Sequence, residues 1–205
     1  MLLEGVSFTA RSGEILGVIG PNGAGKTTLF EAIAGFVPKT GGSVECDALF
    51  YLPEAIRPWP DRRVGWCLDF FARLFRRQRD REAIEMLQLD QLLEARIGTL
   101  SKGEARRFVL ALALGTPQAV LLLDEPFDGL DFRQTRSAMS LLRARAAAGR
   151  ALILSIHQLA DAARVCDRFL LLDHGRAIGE GDLRELQTRA RNENATLDEV
   201  FLALE

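Results

Sequence analysis

The chain has 205 residues, 48% of them hydrophobic, and a formal net charge of −2. That length is long for one average domain and short for two, and it can bury a substantial core. Near-neutral charge argues against a general nucleic-acid binder, which carries a basic excess. Cys46, Cys67 and Cys166, odd in number and widely spaced, form no metal pattern or disulfide framework and fit a reducing compartment.

Met1-Leu2-Leu3-Glu4 offers no basic leader region. The longest unbroken apolar run, Phe108 to Leu114, falls well short of the roughly 20 residues that a membrane span needs. The expectation is a cytoplasmic protein, with any membrane part carried by another chain.

Taken in chain order, Ile15–Ile19, Ala119–Leu123, Ala151–Ile156 and Phe169–Leu172 are short apolar runs without polar alternation. Such runs suit strands buried on both faces of a largely parallel sheet. Amphipathic stretches follow several of them, Lys26–Ala34 and Arg133–Ala148 among them, and repeated strand-then-helix argues for an α/β fold. Between Pro58 and Gly115 the pattern turns helical, and Phe70, Phe71, Leu74 and Phe75 are spaced to cover one helix face. Arg73, Arg76, Arg77, Arg79 and Arg81 interleave with Asp80, Glu82 and Glu85, which reads as a solvated helix face. Residues 1–205 are expected to form a single domain, with 58–115 a helical subdomain inserted in the α/β body. Near the end, Leu172-Asp173-His174-Gly175-Arg176 reads as a hairpin turn. Thr196 and Glu199 then make a capping box for a last helix, Leu197–Leu204.

Gly20-Pro21-Asn22-Gly23-Ala24-Gly25-Lys26-Thr27-Thr28 matches G-x-x-x-x-G-K-[ST] between a strand and a helix. Its glycines let backbone N–H groups turn inward around phosphate oxygens, and the following helix adds the positive end of its dipole. Lys26 is expected to neutralise β- and γ-phosphate charge, and Thr27 to be a Mg²⁺ ligand.

Val120–Leu123 leads into Asp124 and Glu125, whose side chains alternate to opposite sides of the strand. Asp124 can then hold the Mg²⁺ shell while Glu125 addresses the attacking water as a general base.

With these two motifs in place, the chain resembles the nucleotide-binding subunits of ABC transporters. Leu100-Ser101-Lys102-Gly103-Glu104 looks like the family signature LSGGQ, and Asp128-Gly129-Leu130-Asp131 like its D-loop. His157 sits at the switch-histidine position, and Tyr51-Leu52-Pro53-Glu54 where the Q-loop belongs. Order and spacing agree across nearly the whole chain. The resemblance implies a P-loop ATPase that works as a head-to-tail dimer, homotypic or with a second ABC ATPase subunit. Ser101 and Gly103 of one copy would face the γ-phosphate held by the other, and Asp131 would touch the partner's phosphate loop. His157 would contact the γ-phosphate and position the water. The local alternatives are compatible with these roles: Ser101 and Glu104 also fit a capping box, and Asp131 fits a helix cap. The other implied partner is an integral membrane transporter subunit, with this chain peripheral on the cytoplasmic face and no nucleic acid bound.

Four departures from the family pattern carry expectations of their own. Leu2–Phe8 resembles a stretch that family members reach after an additional strand leading to an adenine-stacking aromatic, so weaker ATP affinity or looser base selectivity is expected. Gly41–Tyr51 is short, so the antiparallel accessory sheet should be reduced. Glu54 replaces a glutamine, keeping an oxygen for Mg²⁺ or water but adding negative charge. Lys102 and Glu104 replace Gly and Gln, as in the export-type branch, which the chain also resembles at Tyr51–Glu54 and Val200–Leu204. Trp59, Trp66 and Phe70 could offer a groove to a partner helix, although Phe70 reads better as core. The competing functions are a nucleotide-binding regulatory subunit without turnover and a non-transport ABC-type ATPase. The latter's repair and chromosome-maintenance members place long coiled coils between phosphate loop and signature. Here about seventy residues separate Thr28 from Leu100, without sustained heptads.

Overall fold

Ile15–Ile19, the apolar run ahead of the glycine-rich loop, is a strand buried along its whole length. The computed structural model describes residues 3–46 and 48–205; Leu2, in the first departure above, and Asp47, in the shortened segment, lie outside them. Among the described residues six strands form one sheet: β1 (Ile15–Ile19), β2 (Leu49–Leu52), β3 (Val120–Asp124), β4 (Ala151–Ile156), β5 (Arg168–Asp173) and β6 (Arg176–Gly181). The helices are α1 (Lys26–Ala34), α2 (Val64–Leu74), α3 (Arg81–Met86), α4 (Lys102–Gly115), α5 (Phe132–Ala147), α6 (Leu159–Val165), α7 (Leu183–Arg189) and α8 (Leu197–Leu204).

The sheet order is β2-β3-β4-β1-β5-β6. All pairs are parallel except β5–β6, joined by a tight turn in which His174 and Gly175 have φ of 43° and 80°. Positive φ at both central residues is what such a hairpin turn demands. Register matters most at the ends of β3 and β4. Val18 pairs with Ser155, and Ser155 with Asp124, so these three share one row. A slip by one residue would turn Asp124 to the other face.

Alternation along β1 sends Ile15 and Ile19 to one core and Leu16 and Val18 to the other. The smaller core lies under α1, with Leu29 and Phe30; the larger holds α4, which is buried from Ala105 through Leu114. A helix apolar on nearly every side belongs inside a protein, and this one carries two arginines, Arg106 and Arg107, into the interior.

The strand and helix runs read from the sequence appear within a residue of their expected bounds, including the boxed cap of α8. The accessory sheet is reduced further than expected: among the described residues, 3–14 and 36–46 hold no strand. Two packing expectations need correction. In α2 the buried face is Val64, Cys67, Leu68 and Ala72, while Phe70 and Leu74 face outward. Both stripes have helical spacing, and only tertiary packing chooses between them. The arginine cluster is not one helix face either. Arg76 and Arg77 fall in the turn after α2, and Arg79 reaches back to Asp69 in an ion pair.

Trp59 and Trp66 are exposed, as a docking surface would require, and Phe70 joins them in an aromatic cluster instead of the insert core. Trp66 and Phe70 stack at 5.4 Å, and Trp59 meets Phe70 edge-on at 5.3 Å. Trp59 itself has φ of 47°. Among the described residues no helix is long and apolar enough to cross a membrane. Cys67 and Cys166 are buried and Cys46 is exposed.

Candidate nucleotide site

Gly25 occupies the N-cap of α1 in the left-handed region, φ 106°, where no side chain caps the helix. A side chain there would be strained, and the uncapped N–H groups are left for an anion. No acidic residue sits in the first turn of α1 to compete for them. Lys26 lies within the loop, its Nζ donating to the carbonyls of Gly20 and Pro21 at 2.8 and 3.3 Å. The hairpin turn braces the loop from behind, with Gly175 N–H donating to the Ala24 carbonyl at 3.0 Å.

Asp124, 1% exposed, ends β3 beside this loop. Three hydroxyls reach its carboxylate: Thr27 Oγ1 at 2.9 Å and Tyr51 OH at 3.4 Å on Oδ2, and Ser155 Oγ on Oδ1. A buried carboxylate needs such partners. Desolvation, followed by the negative field of Asp124 and Glu31, pushes the Tyr51 phenol up, so it serves as a neutral donor.

Glu125 follows at φ 49°, a strained conformation for a residue with a side chain. Its amide donates to Ser155 Oγ at 2.9 Å, so one hydroxyl orders both acids. On the side chain, Oε2 meets His157 Nδ1 at 2.7 Å and Oε1 stands 4.0 Å from Lys26 Nζ. Burial raises the pKa of this carboxyl, opposed by the hydrogen bond and charge of His157 and by Lys26.

The chain thus gathers Asn22–Thr28, Asp124, Glu125 and His157 around one loop. Glu54 lies exposed just beyond the end of β2, the strand next to β3. Ser101, Gly103 and Asp131 do not join this cluster. Ser101 and Glu104 form the anticipated capping box at α4, and Asp131 caps α5 with Gln134. Gly103 lies against the 128–131 loop so closely that a Cβ would stand 2.5 Å from the Gly129 carbonyl oxygen. Lys102 adds an ion pair to Asp128 at 2.6 Å.

Sequence reasoning missed three contributors. Ser155 is a polar residue inside an apolar strand, and Tyr51 is the chain's one tyrosine, at the edge strand β2. Arg106 is a charge inside an apolar helix, and it bonds the carbonyls of Asp124, Glu125 and Pro53. For Ser155 and Arg106 the signal was a polar group where the pattern called for an apolar one; Tyr51 lies in a strand too short to set a pattern.

The Thr27 hydroxyl and Asp124 carboxylate are hard oxygen donors in contact. Among the described residues no group of three or more His, Cys, Asp or Glu could enclose a metal ion. One carboxylate and one hydroxyl beside a phosphate loop suit Mg²⁺, which completes its shell with substrate phosphates and water.

A strand–loop–helix phosphate cradle on the central strand, with an acidic pair two strands away, defines a P-loop nucleotide-binding domain. The chain belongs to the ABC transporter family, whose pattern residues 3–128 match. It is 32% identical over 192 residues to an uncharacterized ABC transporter ATP-binding protein of Methanocaldococcus jannaschii, covering 90% of this chain and 73% of the relative. It is also 33% identical to the Nod factor export ATP-binding protein I of Burkholderia pseudomallei, covering 91% and 67%. For the Burkholderia lata protein of that name the figures are 32%, 88% and 66%. The chain therefore spans about two thirds of the Nod factor export relatives. Among solved structures, an ATP-binding subunit of an ABC transporter superposes with TM-score 0.92 at 26% identity, covering 99% of this chain and 92% of that one. A bacterial Atm1-family ABC exporter with ATP bound gives 0.82 at 25%, covering 98% and 38%.

Proposed function

We propose that this chain is the ATP-hydrolysing subunit of an export-type ABC transporter. It closes head to tail with a second ABC ATPase subunit around two MgATP and drives a separate integral membrane subunit from the cytoplasmic face. In this reading residues 1–205 act as one domain, with 58–115 as its inserted helical subdomain. One contact set carries it most directly: Glu125 held between His157 and Lys26, beside a Thr27–Asp124 pair. Export is supported by the relatives whose names state it.

The phosphate loop, Asn22 to Thr28, surrounds the triphosphate with backbone N–H groups, and Lys26 leaves its loop carbonyls to pair with phosphate oxygens. Thr27 and Asp124 would hold Mg²⁺, with Glu54 offering an oxygen to the ion or to its water; held there, the ion would supply polarisation of the phosphoryl oxygens and offset charge developing in the transition state. Glu125 takes a proton from the attacking water while His157 holds that water and the γ-phosphate in line. Ser101 and Gly103 of the second copy close over the γ-phosphate with the N-terminus of α4 behind them, and Asp131 meets the partner's phosphate loop.

The test is phosphate release by the purified chain together with its mass in solution. Glu125→Gln should slow turnover by a factor on the order of 10²–10⁴, yet keep nucleotide binding and accumulate a MgATP-bound dimer. A variant that stays monomeric in saturating MgATP would remove the proposed mechanism.

A further inference from the structure

Arg106 is 4% exposed, yet among the described residues its guanidinium meets no carboxylate. It donates to backbone carbonyls: Nε and Nη2 to Glu125 at 3.0 and 2.6 Å, Nη2 also to Asp124, and Nη1 to Pro53 at 3.2 Å. The Glu125 carbonyl also accepts the Asp128 amide at 3.1 Å. Glu125 is thus gripped on both sides of its strained Cα, by Ser155 on the N–H and by Arg106 on the C=O. A left-handed conformation in a residue with a side chain persists only where its surroundings over-determine it. Here a side chain from α4 supplies half of that constraint.

The cationic charge also has a purpose on this view. Burial lowers the affinity of Arg106 for its proton, opposed by the field of Asp124, Asp128, Glu54 and Glu125. An arginine keeps its charge in such a place and spreads it over a planar fork that can serve three carbonyls at once.

We propose that Arg106 is a positioning residue. It fixes the backbone of Glu125, and so the aim of its carboxylate, to the helix whose first turn carries Ser101 and Gly103, and it ties the Pro53–Glu54 segment to the same point. Any shift of α4 relative to the sheet is then transmitted to Glu125. This rests on the role proposed above for Glu125. Arg107 provides a matched control. It is 7% exposed, and its Nη1 donates to the carbonyls of Leu87 and Gln88 at 2.6 and 3.0 Å, away from the site.

The experiment compares Arg106→Gln, Arg106→Lys and Arg107→Gln, alone and combined with Glu125→Gln. Misplacing a catalytic group by about 1 Å can cost on the order of 10²-fold in rate. Arg106→Gln should therefore lower kcat by roughly tenfold or more while KM stays within about twofold. Arg106→Lys should recover part of the loss, and Arg107→Gln should lower melting temperature without a comparable kcat loss. Added to Glu125→Gln, Arg106→Gln should slow turnover little further, because both act through one group. Additive losses, or equal kcat losses in the two arginine variants, would overturn the proposal. Hydrogen exchange gives a readout independent of turnover. Arg106→Gln should speed exchange of the Glu125 and Asp128 amides, and Arg107→Gln should not. Unchanged exchange at those amides in Arg106→Gln overturns the positioning role even if the wild type releases no phosphate, a result that would by itself count only against the ATPase assignment.

Discussion

Ser155 lies beside Asp124 in the sheet, and its hydroxyl donates to Asp124 Oδ1. Ser155 Oγ also accepts the Glu125 amide at 2.9 Å, so a single hydroxyl in β4 sets the aim of both acids. Ser155→Ala keeps the strand but strips a hydrogen bond from a buried carboxylate and from a backbone amide. Leaving such groups unpaired costs about 1–3 kcal/mol. The expected outcome is lower stability in urea titration and a higher Mg²⁺ concentration for half-maximal ATPase activity. A Mg²⁺ optimum equal to wild type would show that Asp124 does not need this hydroxyl.

In the role proposed for it, Glu125 acts as a base only when ionised, and burial raises its pKa. Turnover should therefore fall as pH drops through that raised value, at a higher pH than an unperturbed glutamate would give. His157 opposes the shift through its hydrogen bond and charge. Replacing His157 with Ala removes a lowering influence, so the acid limb of the residual activity should move to still higher pH. Normalised pH–rate profiles of the two proteins would reveal an unmoved or lowered limb if the pairing were unimportant.

Gly103→Ala introduces a methyl group 2.5 Å from the Gly129 oxygen, so α4 and the 128–131 loop must separate. Overpacking of this kind costs about 1–3 kcal/mol. The variant should bind MgATP as a monomer with near-normal affinity, because the phosphate loop is untouched. It should not yield the nucleotide-dependent dimer in a Glu125→Gln background. Light scattering decides the point.

Trp59, 44% exposed, stands at the centre of an aromatic cluster with Trp66 and Phe70. If this surface receives a membrane subunit, Trp59→Ala should reduce transport in vesicles containing the full complex. Basal ATP hydrolysis by the isolated chain should be unchanged. Transport at the wild-type rate would place the contact elsewhere.

Much of the architecture was legible because short β-branched and leucine runs have few alternatives when both faces of a sheet are covered. β1 and β4 begin and end where the apolar runs do. The phosphate loop was legible for a different reason, since its glycines and lysine answer to backbone geometry and to charge. What escaped was orientation. The stripe through Phe70 and Leu74 has the same helical spacing as the stripe that packs inward, and only contact with α4 selects Val64, Cys67 and Leu68. β2 was invisible as a strand, because four residues at a sheet edge leave too short a pattern. Arg106 could not be placed because its partners are carbonyls, which every residue carries. A polar group in an apolar stretch signals that a partner exists without naming it.

The backbone twist at Glu125 has a bearing on how natural sequence variation would act here. It is imposed by neighbours on either side of the peptide, so Gln at this position inherits the same conformational penalty, and the comparison between the two isolates the lost carboxylate. Glycine would not inherit it. By relaxing a left-handed residue, Glu125→Gly should give a protein that resists unfolding better than its parent in that respect and cannot activate water. If Glu125 has the role proposed for it, the fold tolerates a local handicap that turnover justifies, and selection for thermal robustness alone would tend to erase the acid from the end of β3.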